Sequence, residues 1–200
     1  MLDEEADLIS DILRTMQPNR CLEWGSGSST KYFSRFLTPA GRWLAIEHDA
    51  DWARKVRSQI TSPSIQVLHI PVGPARPSSD AGRSDDERFA NYVAAAEPYG
   101  PYDFVLVDGR SRAKCLLLAN TLLAPRGVAV LHDANRARYQ LGKAPYKYQF
   151  ELLGRGEGQL GIWIGSNDVP IEDVLDVRGY TRLWNLCVSA GALSRMLHYL

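Results

Sequence analysis

The sequence predicts an α/β fold, a doubly wound, mostly parallel seven-stranded sheet closed by a C-terminal β-hairpin. Three observations carry this. Five short apolar runs, RCLEW (20 to 24), RWLAIE (42 to 47), IQVLHI (65 to 70), YDFVLVD (102 to 108) and GVAVLHD (127 to 133), alternate with segments of helical periodicity. The runs are nearly continuous in apolar character, as strands covered by helices on both faces must be. Two final runs, KYQFELLG and QLGIWIG, are split by the glycine-bearing RGEG and read as the hairpin.

The helices follow from spacing. Leu8, Ile9, Ile12, Leu13 and Met16 define a helix over 3 to 16, stopped by Pro18. Residues 28 to 37 place Tyr32, Phe33, Phe36 and Leu37 on one face, and residues 49 to 60 align Trp52, Val56 and Ile60. A further helix runs from Ser111 to Leu123 between the fourth and fifth strands. Residues 71 to 100 depart from the alternation: PVGPARPSSDAGRS is a long loop, followed by a capping box at Ser84-Asp-Asp-Glu87 and a helix with Phe89, Tyr92, Val93 and Ala96 in its stripe. This insertion reads either as a lid over a site or as a long connection. After the hairpin, residues 166 to 200 form an apolar helical appendage with Tyr180, Leu183, Trp184, Cys187, Met196, Leu197 and Leu200. It serves either a homodimer contact or packing against its own sheet. The expected organisation is one domain over residues 1 to 200.

Composition narrows the partners. Lys+Arg and Asp+Glu are both 23, which leaves no surplus positive charge to follow a phosphate backbone, so nucleic acid is not expected. The three cysteines, Cys21, Cys115 and Cys187, are scattered and suggest neither a disulfide framework nor a zinc cluster. No apolar run approaches the ~20 residues that span a bilayer, and MLDEEADLIS is acidic where a signal peptide is basic. A cytoplasmic protein without a membrane contact is the expectation.

The stretch CLEWGSGSST (21 to 30) fills the first strand-to-helix turn, which in an open parallel sheet lines the ligand crevice. Gly25 and Gly27 permit a tight turn with close backbone approach, and the hydroxyls of Ser28, Ser29 and Thr30 either cap the next helix or meet the ligand. Glu47 ends the second strand, twenty residues past Gly27, where an acidic side chain accepts from both hydroxyls of an adenosine ribose. A dinucleotide would want a third glycine where Thr30 stands. Glu23, just before the turn, would repel a pyrophosphate and welcome an ammonium group.

With these residues in place the chain resembles the class I S-adenosylmethionine-dependent methyltransferases. LEWGSGSST is similar to their first motif, AIEHD to the acidic end of their second strand, YDFVLVDG to their fourth strand and GVAVLHD to their fifth, covering about residues 1 to 165. The resemblance implies S-adenosylmethionine as cofactor. Glu23, Gly25 and Gly27 would surround its methionine part, with Ser26, Ser29, Thr30 and Gly109 in the adjoining turns. Glu47 would hold the ribose, His48 would lie against the adenine, and Asp108 would face the methyl group. Where the family often has a polar residue after the third strand, this chain has Pro71-Val72-Gly73.

Methyl transfer needs an acceptor held in line with the sulfonium and, for a hydroxyl, a base. His132 and Asp133 end the fifth strand beside Asp108, and His132 is either that base or a structural histidine bonded at a strand end. Asp108, Asp133 and Asn135 resemble the metal-binding set of catechol-type O-methyltransferases, but the intervening Ala134 breaks the adjacency of the last two, and a divalent metal is not favoured. Arg110 and Arg112 either grip an anionic group on the acceptor or pair with nearby acids. Tyr139 belongs to a segment that could overhang the same site. The expected function is methyl transfer to a small or medium acceptor, at oxygen, since the (N/D)PP(Y/F) tetrapeptide of amino-directed enzymes is absent. The alternatives are a cofactor-binding methyltransferase-like protein without efficient catalysis and a nicotinamide-dependent oxidoreductase.

Overall fold

Helix α1 (Asp3–Met16) places acidic Asp3, Glu4 and Glu5 in its first turn, where the helix dipole favours them, and drives Leu8, Ile9, Ile12 and Leu13 into the core. It stops at Gln17, whose φ of 46 is left-handed, ahead of Pro18. The computed structural model describes residues 1, 3–73, 87–154 and 161–197; the expected loop from 74 to 84 with its capping Ser84, and the RGEG turn, lie outside the described residues.

The chain continues through β1 (Arg20–Trp24), α2 (Ser28–Phe33), β2 (Arg42–Glu47), α3 (Ala50–Arg57) and β3 (Ile65–His69). There follow α4 (Ala90–Ala94), β4 (Tyr102–Val107), α5 (Arg112–Leu122), β5 (Leu123–His132), α6 (Gln140–Lys143), β6 (Tyr148–Leu153), β7 (Gly161–Ser166) and α7 (Val177–Leu197). The strands form one seven-stranded sheet in the order β3-β2-β1-β4-β5-β7-β6. Neighbours from β3 to β5 are parallel, whereas β7 runs antiparallel to both β5 and β6. The direction of winding reverses between β1 and β4, so their carboxyl ends open a crevice.

Side chains alternate along each strand between two cores. On one face Cys21, Trp43, Phe104 and Val130 meet Leu8, Ile9 and Ile12 of α1 and Phe33 of α2. On the other, Leu22, Trp24, Val105 and Leu131 meet Tyr92 of α4 and Leu116 of α5. Glu23 shares the parity of Cys21 and therefore points beneath α2.

Three elements differ from the sequence expectation. The helix expected to Leu37 is α-helical only to Phe33 and finishes as a 3-10 turn over Ser34–Phe36. Strand β5 begins at Leu123, not Gly127, because Leu123 pairs with Tyr102 before a register shift at Pro125-Arg126-Gly127, where Arg126 has φ 66. In α3, Asp49 is the N-cap, accepting from Trp52 N at 2.8 Å, and Trp52 stays 43% exposed while Val56 is buried. Of the two readings of the appendage, packing back holds for its first half: Tyr180 Oη donates to Asp11 of α1 at 2.6 Å and Trp184 Nε1 to the Leu153 carbonyl at 3.2 Å. Leu183 and Leu186 of the same helix are exposed. No described helix is long and apolar enough to cross a membrane.

Candidate functional site

The crevice between β1 and β4 is a cavity of about 1260 Å³. Its walls include Gly25, Ser26, Gly27 and Ser29 from the first turn, Glu47 and His48 from the end of β2, and Asp108 to Arg110 from the end of β4. Gly25 has φ 98 and carries its backbone so close to β4 that a Cβ there would lie 2.6 Å from Gly109 N. Only glycine fits this crossing. Gly27 is extended, and its Cβ would meet nothing nearer than Ser29 Oγ at 3.8 Å. The open space beside it belongs to the cavity, so the protein itself does not use the room that this glycine leaves.

Glu23 does not reach that wall. It is wholly buried, accepting from Ser29 Oγ at 2.5 Å, Thr30 Oγ1 at 2.6 Å and Trp43 Nε1 at 2.9 Å. Burial pushes its carboxyl up to about 7, against the lowering effect of those three donors. Thr30, also buried, accepts in turn from Gly27 N at 2.9 Å. Neither side chain is among those lining the cavity; both are engaged in hydrogen bonds beneath the turn.

Glu47 is held as a preset acceptor. Its Oε1 accepts from the amides of His48 and Asp49 at 2.8 and 3.0 Å, and its Oε2 from Ser26 N at 3.1 Å and Ser26 Oγ at 3.3 Å. Burial would raise its pKa, but hydrogen bonds from the His48 side chain and these amides prevail and hold the carboxyl below its usual range. His48 stands in an aromatic group with Phe89 and Tyr92, ring centroids 5.5 and 5.9 Å away. Trp52 closes the same side, its Nε1 donating to the Ser26 carbonyl at 2.7 Å.

The ends of β4 and β5 are joined by charge. His132 is 6% exposed, with Nδ1 at 2.9 Å from Asp108 Oδ1 and Nε2 at 3.1 Å from Glu5 Oε2. Burial alone would lower its pKa, but the two carboxylates push it up to about 9, so both nitrogens carry protons at neutral pH. His132 is thus no free base. Arg112, 12% exposed at its side chain, donates Nε to the Gly109 carbonyl at 2.9 Å, Nη1 to His132 O at 2.5 Å and Nη2 to Asp108 O at 2.9 Å. Its terminal nitrogens also lie 3.1 Å from Asp108 Oδ1 and 3.4 Å from Asp133 Oδ2. A guanidinium so engaged has little left for an acceptor. Arg110 is exposed on the cavity wall, whereas Tyr139 is buried behind it, its hydroxyl accepting from Arg138 at 3.2 Å.

Among the described residues, Asp108, His132 and Asp133 form a cluster whose ligand atoms lie within 4.8 Å of one another. A divalent metal does not fit it as it stands: each ring nitrogen of His132 already faces a carboxylate, and Arg112 and Arg136 already contact the carboxylates, Arg136 reaching Asp133 Oδ2 at 3.5 Å.

Sequence reasoning missed α1 as a wall of the cavity, where Asp3, Ala6 and Asp7 contribute. A signal was present: Glu5 precedes Leu8 and Ile9 by three and four residues, so a charge sits on the buried stripe. Trp52 and Arg136 also line the cavity and were not anticipated there.

No protein-family model matches the chain, and no curated protein matches it in sequence. Solved structures do. An O-methyltransferase of Streptomyces achromogenes involved in tomaymycin synthesis, solved in complex with SAM, is 17% identical with a TM-score of 0.63, over 84% of this chain and 82% of that one. The class I methyltransferase fold is the fold of this chain. An O-methyltransferase from Bacillus cereus in complex with SAH is similar at 17% identity and TM-score 0.61, over 83% and 82% of the two chains. A methyltransferase-like protein from Silicibacter pomeroyi is 22% identical with TM-score 0.58, over 88% of this chain and 95% of that one. Within the class I fold, the first turn, the end of β2 and the end of β4 share one crevice, as they do here.

Proposed function

We propose that this protein is an S-adenosylmethionine-dependent methyltransferase acting on a small or medium acceptor at oxygen. The observation that carries the reading is the convergence on one cavity of the Gly25–Gly109 crossing, the open space at Gly27 and the preset Glu47. Bound there, S-adenosylmethionine would supply an electrophilic methyl group on its sulfonium.

Glu47 holds the ribose hydroxyls, with the 3.3 Å bond from Ser26 Oγ the weakest of its present partners and the first to yield. His48, backed by Phe89 and Tyr92, flanks the adenine. Ser26, Gly27, Ser29 and Gly109 offer backbone and hydroxyl groups along the methionine part, while Glu23 and Thr30 keep the turn in shape from below. Asp108 lines the cavity at the end of β4; its Oδ1 is bound to His132 and Arg112, and its Oδ2 accepts no hydrogen bond from the described residues. That oxygen receives the proton of an acceptor hydroxyl, and Arg110 stands at the same wall to meet an anionic group on the acceptor. The chain's own contribution to rate is then orientation, a held proton and exclusion of water. Oxygen as the acceptor atom is supported by the O-methyltransferase descriptions of the neighbours from Streptomyces achromogenes and Bacillus cereus.

The pairing of His132 on both nitrogens favours a second reading, a cofactor-binding protein with weak catalysis. Calorimetry with S-adenosylmethionine, S-adenosylhomocysteine and NADH tests cofactor choice, and binding of NADH alone would sink the assignment. Acceptor screening with a labelled methyl donor then separates the two readings: binding without turnover on any acceptor selects the second.

A further inference from the structure

We infer that Arg112 is the resident cation of this site: its guanidinium fills the place between Asp108 and Asp133 that a divalent ion would need, and it fixes Asp108 for use without metal. The role given to Asp108 rests on the proposed methyl transfer; the exclusion of metal does not.

Oxygen-bound cations need carboxylates with bare lone pairs and a gap to sit in. Here the gap is taken. Arg112 Nη2 is 3.1 Å from Asp108 Oδ1 and its Nη1 is 3.4 Å from Asp133 Oδ2. The guanidinium is not a loose counter-ion, since three of its N–H groups donate to the carbonyls of Gly109, His132 and Asp108. To admit a metal, the side chain would have to break all three bonds and leave those carbonyls without the donor. The third member of the cluster is closed as well, because His132 faces a carboxylate with each ring nitrogen. Charge points the same way. The carboxylates of Asp108 and Asp133 already have the guanidinium groups of Arg112 and Arg136 against them, so an arriving cation would meet positive charge in place.

Arg112 and His132 converge on the same oxygen, Oδ1 of Asp108. This pins the carboxylate and leaves Oδ2 as its working atom. Arg112 is a positioning residue: it acts on the acceptor through Asp108. Asp133 has a left-handed backbone, φ 53, and its Oδ2 lies 3.4 Å from the guanidinium.

The test is a titration of the purified chain with MnCl₂, read by calorimetry and by the electron paramagnetic resonance of free Mn²⁺. Wild type should show no saturable uptake. Arg112→Met, similar in length and uncharged, should gain saturable uptake that Asp133→Asn in the same chain removes, while Arg112→Lys should stay closed because the charge remains. Saturable uptake by wild type that Asp133→Asn abolishes would overturn the inference. So would a folded Arg112→Met that takes up no Mn²⁺, since charge would then not be what keeps the ion out. Should Arg112→Met fail to fold, Arg112→Gln takes its place, and the wild-type titration decides independently. Failure of S-adenosylmethionine to bind would remove the methyltransferase reading and leave the Mn²⁺ result standing.

Discussion

Glu5 on α1 and His132 at the end of β5 lie 127 residues apart in sequence and 3.1 Å apart in space. The contact ties the first helix to the edge of the crevice, which is why residues of α1 stand in the cavity wall. It also makes the seat of α1 sensitive to protonation.

Stability should therefore fall as pH rises from 7 to 9. An unfolded histidine titrates near 6.5 and folded His132 near 9. Below 6.5 both states are protonated and the pairs with Glu5 and Asp108 contribute fully; above it the unfolded chain sheds its proton first, and the contribution is gone past 9. Glu23, raised to about 7, adds a loss of the same sign at lower pH, and burial of the Cys21 and Cys115 thiols adds another from about 8.5 upward, so the variant below assigns the slope between them to His132. The change is on the order of 3 kcal/mol for a shift of this size. Urea melts at several pH values measure it, and His132→Gln should flatten the slope; an unchanged slope would remove His132 from the account.

Glu47→Ala should weaken S-adenosylmethionine binding roughly 10- to 100-fold, the range for hydrogen bonds to a charged group. The same variant frees the amides of Ser26, His48 and Asp49, so a thermal melt should accompany the calorimetry. Equal affinity in a folded variant would take the ribose role from this residue.

Gly109→Ala should destabilise the fold by ~1–3 kcal/mol through overpacking, because its Cβ would strike the hydroxyl of Tyr92. Tyr92→Phe in the same chain should recover part of the loss. A double-mutant cycle with no coupling would show that the backbone, not the hydroxyl, sets the limit.

Ligand binding should change tryptophan fluorescence through a single reporter. Trp24, Trp43, Trp163 and Trp184 are buried, whereas Trp52 is 43% exposed and lines the cavity. Titration with S-adenosylhomocysteine should alter emission in wild type and leave Trp52→Phe nearly silent. The variant also loses the bond to the Ser26 carbonyl, so its affinity should drop a few-fold.

The strands were legible because a buried parallel strand announces itself as an unbroken apolar run, and β1 and β2 begin and end where RCLEW and RWLAIE do. The first turn was legible too, since Gly25 answers a backbone crossing that admits nothing larger. What the sequence hid is direction. Glu23 looks like a ligand group beside the turn, yet strand parity sends it under α2 to Trp43. His132 looks like a free imidazole at a strand end, and its partners come from α1 and β4, which no local pattern places beside it. Arg112 looks like a hand held out to a substrate, but its reach is used up on main-chain carbonyls.

Those carbonyls have a consequence for inheritance. The three hydrogen bonds that anchor Arg112 end on the main chain at positions 108, 109 and 132, and at 108 and 132 the oxygen is presented whatever side chain the position carries. The clamp between two strands thus depends on Arg112 and on the glycine at 109, with one carboxylate at least beside the guanidinium to balance its charge. A lineage could exchange the exposed Arg110, and with it the acceptor, while the strand ends stay joined.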